Sequence, residues 1–226
     1  MLKGRKIEPF SLTRHRFPDI LDAVCFICIY RDLLVHTRRG DPCGRPPVAH
    51  TGRHRRRPLQ FDALGGMKLV LQYMQISPGQ GHEAGRQLLE RMYRSYTGSQ
   101  MPSILTTDRG KPYFAQGSVH FSISHTPKHV FCALSETPIG IDAEEADRAI
   151  DLRLAEKILS PTEQAQFAAA PDKRLALLTF WVLKEAHAKY TGTGLQGYPN
   201  RTQFRLDDPR VRKIDGCLVA VIREAD

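Results

Sequence analysis

The chain has 226 residues, 41% of them hydrophobic and 25% charged, with a formal net charge of +9. This composition fits a globular protein and excludes the collagen-like, disulfide-scaffold and wholly disordered classes. That length can bury a core without disulfides, and the five cysteines, Cys25, Cys28, Cys43, Cys132 and Cys217, show no framework spacing.

The apolar stretch at 20–30 contains Asp22 and is too short to cross a membrane. No secretory leader is read, so the expected compartment is the reducing cytoplasm. The charge is uneven: residues 1–66 hold 13 Lys and Arg against 6 Asp and Glu, while the remainder is close to balance. Within that first third, 38–58 is dense in Arg, Pro, Gly and His and has neither a helical nor a strand period. It cannot bury enough apolar surface to offset its ordering entropy, and disorder is expected there. A short helix is expected at 11–30.

Three readings of 1–66 compete. The favoured one is that Met67 opens the working protein and the preceding segment is not a genuine part of it. A basic nucleic-acid-binding arm is disfavoured, because Arg38, Arg39 and Arg53–Arg57, which His54 interrupts, lack aromatic residues to stack bases. A zinc site from Cys25 and Cys28 with Cys43 and His50 or His54 is weaker still, resting on one pair inside an apolar run.

From Met67 onward the pattern predicts a strand at 68–75 and then a helix at 82–96, with Leu88, Leu89, Met92 and Tyr93 on one face. Residues 101–113 are expected to be mostly loop, turning at Arg109-Gly110-Lys111-Pro112. Strands are expected at 119–124, 130–135 and 139–143, the first two joined by a short turn. A helix at 152–159 precedes another that Ser160 caps, since Ser160-Pro161-Thr162-Glu163 has a cap residue, a first-turn proline and a glutamate three residues on. Pro171 breaks that helix, the longest one spans 173–190, and Gly192 and Gly194 end it. Strands at 203–206 and 217–222 complete an α+β order in two halves, roughly 67–145 and 146–226.

Three clusters carry chemistry. Phe121-Ser122-Ile123-Ser124-His125-Thr126 ends a strand with hydroxyls and an imidazole, and Lys111 supplies positive charge nearby in sequence. Such a set suits phosphate oxygens, although a Ser-His pair at a strand end also serves to cap turns. In Gly140-Ile141-Asp142-Ala143-Glu144 the two acids lie two apart, on one face of a strand. They repel unless a cation lies between them, and Mg²⁺ is the natural occupant; a solvated strand edge is the alternative. In Trp181-Val182-Leu183-Lys184-Glu185-Ala186-His187-Ala188-Lys189, residues 181, 185 and 189 form a helical stripe. Glu185 could complete a three-carboxylate site and Lys189 could hold a phosphate beside it, whereas an ordinary surface pair would give only about 0.3 kcal/mol.

Taken together, Gly-Lys-Pro, Phe-Ser-Ile-Ser-His, Pro-Ile-Gly-Ile-Asp-Ala-Glu and Trp-Val-Leu-Lys-Glu-Ala-His-Ala-Lys, in this order, resemble the 4′-phosphopantetheinyl transferase superfamily. The closer likeness is to its single-chain, surfactin-synthetase-activating type, related to holo-acyl-carrier-protein synthases. The resemblance runs from about 86 to 221. It implies two similar α+β halves about a pseudo-twofold axis, with coenzyme A bound in the cleft between them.

By the same resemblance, Asp142, Glu144 and Glu185 match the metal-binding carboxylates, and Lys189 matches the lysine at the pyrophosphate. Ser124 and His125 match residues on the coenzyme A phosphates, and Lys111 matches the lysine of the Gly-Lys-Pro turn. Arg86 is a candidate for the 3′-phosphate. The implied reaction moves phosphopantetheine to a serine of an apo acyl or peptidyl carrier protein, with Mg²⁺ or Mn²⁺ as cofactor and Glu185 helping to remove the serine proton. The carrier is expected to dock near 150–173, with Arg148, Arg153 and Lys157 at hand, and the enzyme to be a monomer. A non-catalytic relative binding coenzyme A or a carrier, and a nucleic-acid-binding protein, are the alternatives.

Overall fold

The computed structural model describes residues 59–61, 69–194 and 199–223. The expected helix at 11–30, the tract at 38–58, the Cys25/Cys28 pair and Met67 lie outside the described residues.

Two antiparallel sheets form the frame. The first has the order β1-β2-β6-β5, from Leu59–Phe61, Leu69–Gln75, His129–Ser135 and His120–His125. The second has the order β7-β9-β8, from Ile139–Glu145, Cys217–Arg223 and Val211–Ile214. β7 is hydrogen-bonded to β9 from Ile139↔Arg223 to Glu145↔Cys217, so the second sheet draws on residues from both sides of position 145/146. The β8–β9 hairpin turns through Asp215 and Gly216, with φ of 47° and 79°. Two successive positive φ values are what a tight two-residue turn between twisted strands requires, and Asp-Gly supplies them.

β6 and β9 read as nearly continuous apolar runs because both of their faces are covered. On one side of the first sheet, Val130, Cys132 and Leu134 pack under α1 (Gly81–Thr97), which buries Leu88, Leu89, Met92 and Tyr93. On the other side, Leu69, Leu71, Phe131 and Ala133 meet Ile139, Ile141, Ala143 and Val219 of the second sheet. The outer face of that sheet, Leu218, Ala220 and Ile222, packs under α4 (Lys173–Thr191). α2 (Leu154–Ile158) and α3 (Pro161–Ala169) extend the same core.

The sheets meet along β5 and β7, which no backbone ladder joins among the described residues. Instead, the amides of Ile141 and Ala143 donate to Ser122 Oγ at 3.0 Å and Ser124 Oγ at 3.1 Å. Serines two apart on β5 thus satisfy alternate donors of β7, which buried backbone groups demand.

Gly140 sets the spacing on the other side of β7. A Cβ there would lie 2.1 Å from the Ala186 carbonyl and 2.3 Å from the Tyr190 amide. Glycine therefore lets α4 lie directly on the strand, bringing residues 185–189 to the level of 142–144.

The helix starts follow the expected chemistry. Ser160 and Glu163 form a reciprocal capping box, and Asp172 caps α4 by accepting from the Leu175 amide.

Two expectations are corrected and one is refined. The stretch 101–113 is mostly loop, but it carries one short hairpin, in which Ile104–Thr106 (β3) pairs with Pro112–Phe114 (β4) around the Gly-Lys-Pro turn. Each strand is three residues long and Leu105 and Tyr113 are exposed, so no alternating pattern marks them. The stretch 203–206 is not a strand, because side chains of α3 take its amides: Phe204 donates to Glu163 Oε1 at 2.9 Å and Leu206 to Gln166 Oε1 at 3.1 Å. The strand that pairs with β9 is Val211–Ile214. The helix expected at 152–159 is shortened to Leu154–Ile158, since the Arg153 amide turns onto Asp151 Oδ1 at 3.0 Å.

Candidate functional site

β7 presents Asp142 and Glu144 on the side facing α4, and α4 presents Glu185 and Lys189 toward them. All three carboxylates are buried, at 3%, 6% and 7% exposure for Asp142, Glu144 and Glu185. Lys189 Nζ donates to Asp142 Oδ1 at 2.7 Å and to Ser124 Oγ at 3.2 Å, and Ser124 Oγ donates to Asp142 Oδ1 at 2.9 Å. Asp142, Ser124 and Lys189 are joined by these bonds, and Glu185 lies near enough to Asp142, Lys189 and Glu144 to feel their charges. Ser124 is drawn in by the hydroxyl that also anchors Ala143.

The charge here is not closed off. Asp142 Oδ2 and Glu185 Oε1 are buried and accept no hydrogen bond from the described residues. Buried carboxylate oxygens in that condition carry a full desolvation cost and mark a place prepared for a cation or a proton. Burial above all, and then the neighbouring charges of Asp142 and Glu144, push the Glu185 carboxyl up to about 8, against the downward pull of Lys189 and Arg148. An all-oxygen anionic set suits a hard divalent ion. As they stand, no three His, Cys, Asp or Glu side chains among the described residues are grouped tightly enough to hold one.

The other candidates are placed as follows. His125, half-buried, lies against the start of α1: a Cβ on Gly81 would come 2.7 Å from its ring, so the imidazole is seated where only glycine fits. Lys111 sends Nζ to the Tyr190 carbonyl at 2.5 Å, at the last turn of α4, and its stem lies on Gly192. There it satisfies a terminal carbonyl and places positive charge at the negative end of the helix. Burial pulls the Lys111 ammonium below the usual lysine range. Arg86 is exposed on α1.

Two participants escaped sequence reasoning as members of this site. Arg148 Nη1 lies 2.6 Å from Glu144 Oε1, and Arg174 donates to the carbonyls of Ala146 and Arg148 in the turn after β7. Nothing in a Glu-x-x-x-Arg spacing outside a helix signals such a fold-back. Lys128, His129, Glu145, Asp147, Arg174 and Cys217 are among the residues lining a cavity of about 500 Å³ beside the turn.

Parts of known proteins are similar to part of this chain. A 4′-phosphopantetheinyl transferase of Bacillus pumilus is 39% identical over 93 residues, covering 40% of this chain and 40% of that protein. One of Bacillus subtilis is 35% identical over 102 residues, covering 44% of this chain and 45% of the relative. One of Nostoc sp. is 34% identical over 123 residues, covering 50% and 52%. The chain thus spans about half the length of the curated relatives it matches. Residues 138–218, which hold Asp142, Glu144, Glu185 and Lys189, match the family model of the 4′-phosphopantetheinyl transferase superfamily.

Proposed function

We propose that this chain is a 4′-phosphopantetheinyl transferase. It would move the phosphopantetheine arm of coenzyme A to a serine of an apo acyl or peptidyl carrier protein and release adenosine 3′,5′-bisphosphate. The observation that carries this reading is the pair of buried, unsatisfied oxygens on Asp142 and Glu185, held on facing elements with Lys189 between helix and strand. Asp142, Glu144 and Glu185 would hold Mg²⁺, or Mn²⁺, which shares its oxygen ligands. Such an ion supplies Lewis-acid neutralisation of the pyrophosphate charge.

The chain's own residues do the remaining work. In the reaction the serine oxygen forms a bond to the β-phosphorus, the bond from that phosphorus to the bridging oxygen breaks, and the serine proton must leave. Transfer of this kind relies on positioning and charge rather than on a protein nucleophile. Lys189 sits beside the acids and would neutralise oxygens of the leaving group. Glu185, beside the other acids, is proposed to help remove the serine proton in its ionised form, which a bound cation favours. Ser124 and His125, Lys111 and Arg86 are proposed to face the phosphates of coenzyme A.

Further parts of the reading concern surroundings. Leu152 is exposed next to Arg153 in sequence, with Lys157 exposed on the helix that follows, and apolar surface with basic neighbours suits an acidic carrier helix. We read the two sheet-and-helix units as halves related by a pseudo-twofold axis, the protein as a cytoplasmic monomer, and the working protein as 67–226. Among the described residues no helix is long and apolar enough to cross a membrane.

The test is intact-mass spectrometry of an apo carrier incubated with coenzyme A, Mg²⁺ and either the full chain or one beginning at Met67. A phosphopantetheine adduct that disappears with Asp142→Ala is expected from both. A folded protein that modifies no carrier across a panel of acyl and peptidyl types would favour the non-catalytic reading. Near-normal turnover by Glu185→Gln would remove Glu185 as the proton acceptor.

A further inference from the structure

The turn leaving β7 is braced from two sides. Arg174, in the first turn of α4, donates to the carbonyls of Ala146 and Arg148. From the β8–β9 hairpin, the Gly216 carbonyl accepts from the Ala146 amide at 2.9 Å, and the Arg148 amide donates to the Glu145 carbonyl at 2.9 Å. So held, the chain folds back on the strand it has left, and Arg148 Nη1 reaches Glu144 Oε1 at 2.6 Å.

Each of the two β7 acids therefore meets a cation. Lys189 lies on Asp142 and Arg148 on Glu144, and the two cationic side chains are 27% and 23% exposed. Each is buried at its carboxylate and still open to a ligand. A guanidinium has five N–H donors in a planar fork, and the Glu144 contact uses one of them. The remaining donors match the geometry of phosphate oxygens, which arginine takes up two at a time.

We propose that Arg148 is a further substrate-binding residue of this site, gripping phosphate oxygens of the coenzyme A pyrophosphate as the turn-borne counterpart of Lys189. The proposal rests on the transferase reading above. In sequence Arg148 reads as one of several basic residues facing a carrier protein, but the braced turn directs it into the carboxylate cluster instead. A divalent ion taken up by Glu144 competes with the guanidinium for the same oxygen, so loading the site turns Arg148 toward the incoming phosphates. Its charge also reaches Glu185, where it opposes the upward pull of burial.

The experiment uses the full chain as wild type, Arg148→Ala, Arg148→Lys and Lys189→Ala. Mn²⁺ binding is followed by electron paramagnetic resonance, and binding of inorganic pyrophosphate and of coenzyme A in Mg²⁺ by calorimetry. Arg148→Ala is expected to weaken both phosphate probes by about tenfold, the loss of one charged hydrogen-bonding group. Its Mn²⁺ affinity is expected to stay equal or improve, since a competitor for Glu144 is gone. Arg148→Lys should recover part of the phosphate affinity.

Unchanged pyrophosphate affinity in Arg148→Ala, in a protein that loses it with Lys189→Ala, overturns the proposal and leaves the transferase reading standing. Equal losses of Mn²⁺ and pyrophosphate affinity also overturn it, because Arg148 would then act only by bracing Glu144. A wild-type chain that binds neither Mn²⁺ nor pyrophosphate removes the transferase reading itself, and this proposal with it.

Discussion

Lys184 and Glu185 are neighbours on α4, both buried, and they meet buried charge in opposite ways. Lys184 pairs with Glu163 at 2.8 Å, their side chains 2% and 0% exposed. Glu163 Oε2 also accepts from the Ser160 amide at 2.7 Å and Oε1 from the Phe204 amide at 2.9 Å, while Lys184 Nζ reaches the Thr202 carbonyl at 2.9 Å. Both carboxylate oxygens are thus taken, and α3, α4 and the segment after it are tied at one point. One residue on, Glu185 has a buried oxygen that accepts nothing, and so does Asp142 across from it. A closed ion pair fixes structure, whereas an open set of acids stores cost that a cation or a proton can relieve. The lysine and the glutamate of one short motif therefore have different duties, and the closed pair steadies the turn of helix from which the open site is built.

The strongest way to break that contrast is to open the closed pair. Lys184→Met leaves Glu163 buried without its partner and should cost ~3–5 kcal/mol. Denaturant titration of the full chain would measure it. A loss under 1 kcal/mol would place the Lys184 pair with the surface salt bridges, whose worth is about that size or less.

Next comes the spacing between strand and helix. Gly140→Ala puts a methyl group 2.1 Å from the Ala186 carbonyl, a backbone atom that cannot swing aside. Overpacking of this kind should cost ~3 kcal/mol. It should also lift Glu185 and Lys189 away from Asp142, so divalent-ion binding should fall even at temperatures where the variant stays folded. A Gly140→Ala protein that binds Mn²⁺ as wild type does would show that the close approach is not what builds the site.

How much of this was legible depended on whether the controlling partner lay nearby in sequence. The Ser160–Glu163 box, the glycine after Thr191 and the stripe joining Glu185 to Lys189 are local patterns, and the structure reproduces each. The pairing of Asp142 and Glu144 on one side of a strand followed from its period of two. What stayed hidden depended on distant partners. Glu163 reads as a cap residue, but its second duty is to Lys184 and the Phe204 amide. Ser124 reads as a phosphate binder, whereas its hydroxyl, like that of Ser122, also stands in for a missing ladder between sheets. Lys111 reads as a phosphate lysine, yet its ammonium meets the end of a helix 79 residues away in sequence. The stretch 203–206 reads as a strand because its apolar alternation is real, but side chains of α3 had already claimed its amides.

The smallest effect tests the open side of the contrast through its proton. In the unfolded chain Glu185 titrates near the ordinary glutamate value of about 4.3, and in the folded protein burial raises it to about 8. Between those values the folded state holds a proton that the unfolded state has released, so stability falls as pH rises, by about 2 kcal/mol between pH 5.5 and 7. Below the unfolded value both states are protonated, and the contribution is fully present. Glu185→Gln carries a neutral amide at every pH and should lack this slope, becoming more stable than wild type toward pH 7.5. Saturating Mg²⁺ should flatten the wild-type slope, because a cation among the acids favours the charged form that burial disfavours. Thermal unfolding of both proteins from pH 5 to 8, with and without Mg²⁺, reads all of this. Wild-type and Glu185→Gln curves that stay parallel across that range would mean that Glu185 is already ionised when the site is empty, its charge balanced by Lys189 and Arg148.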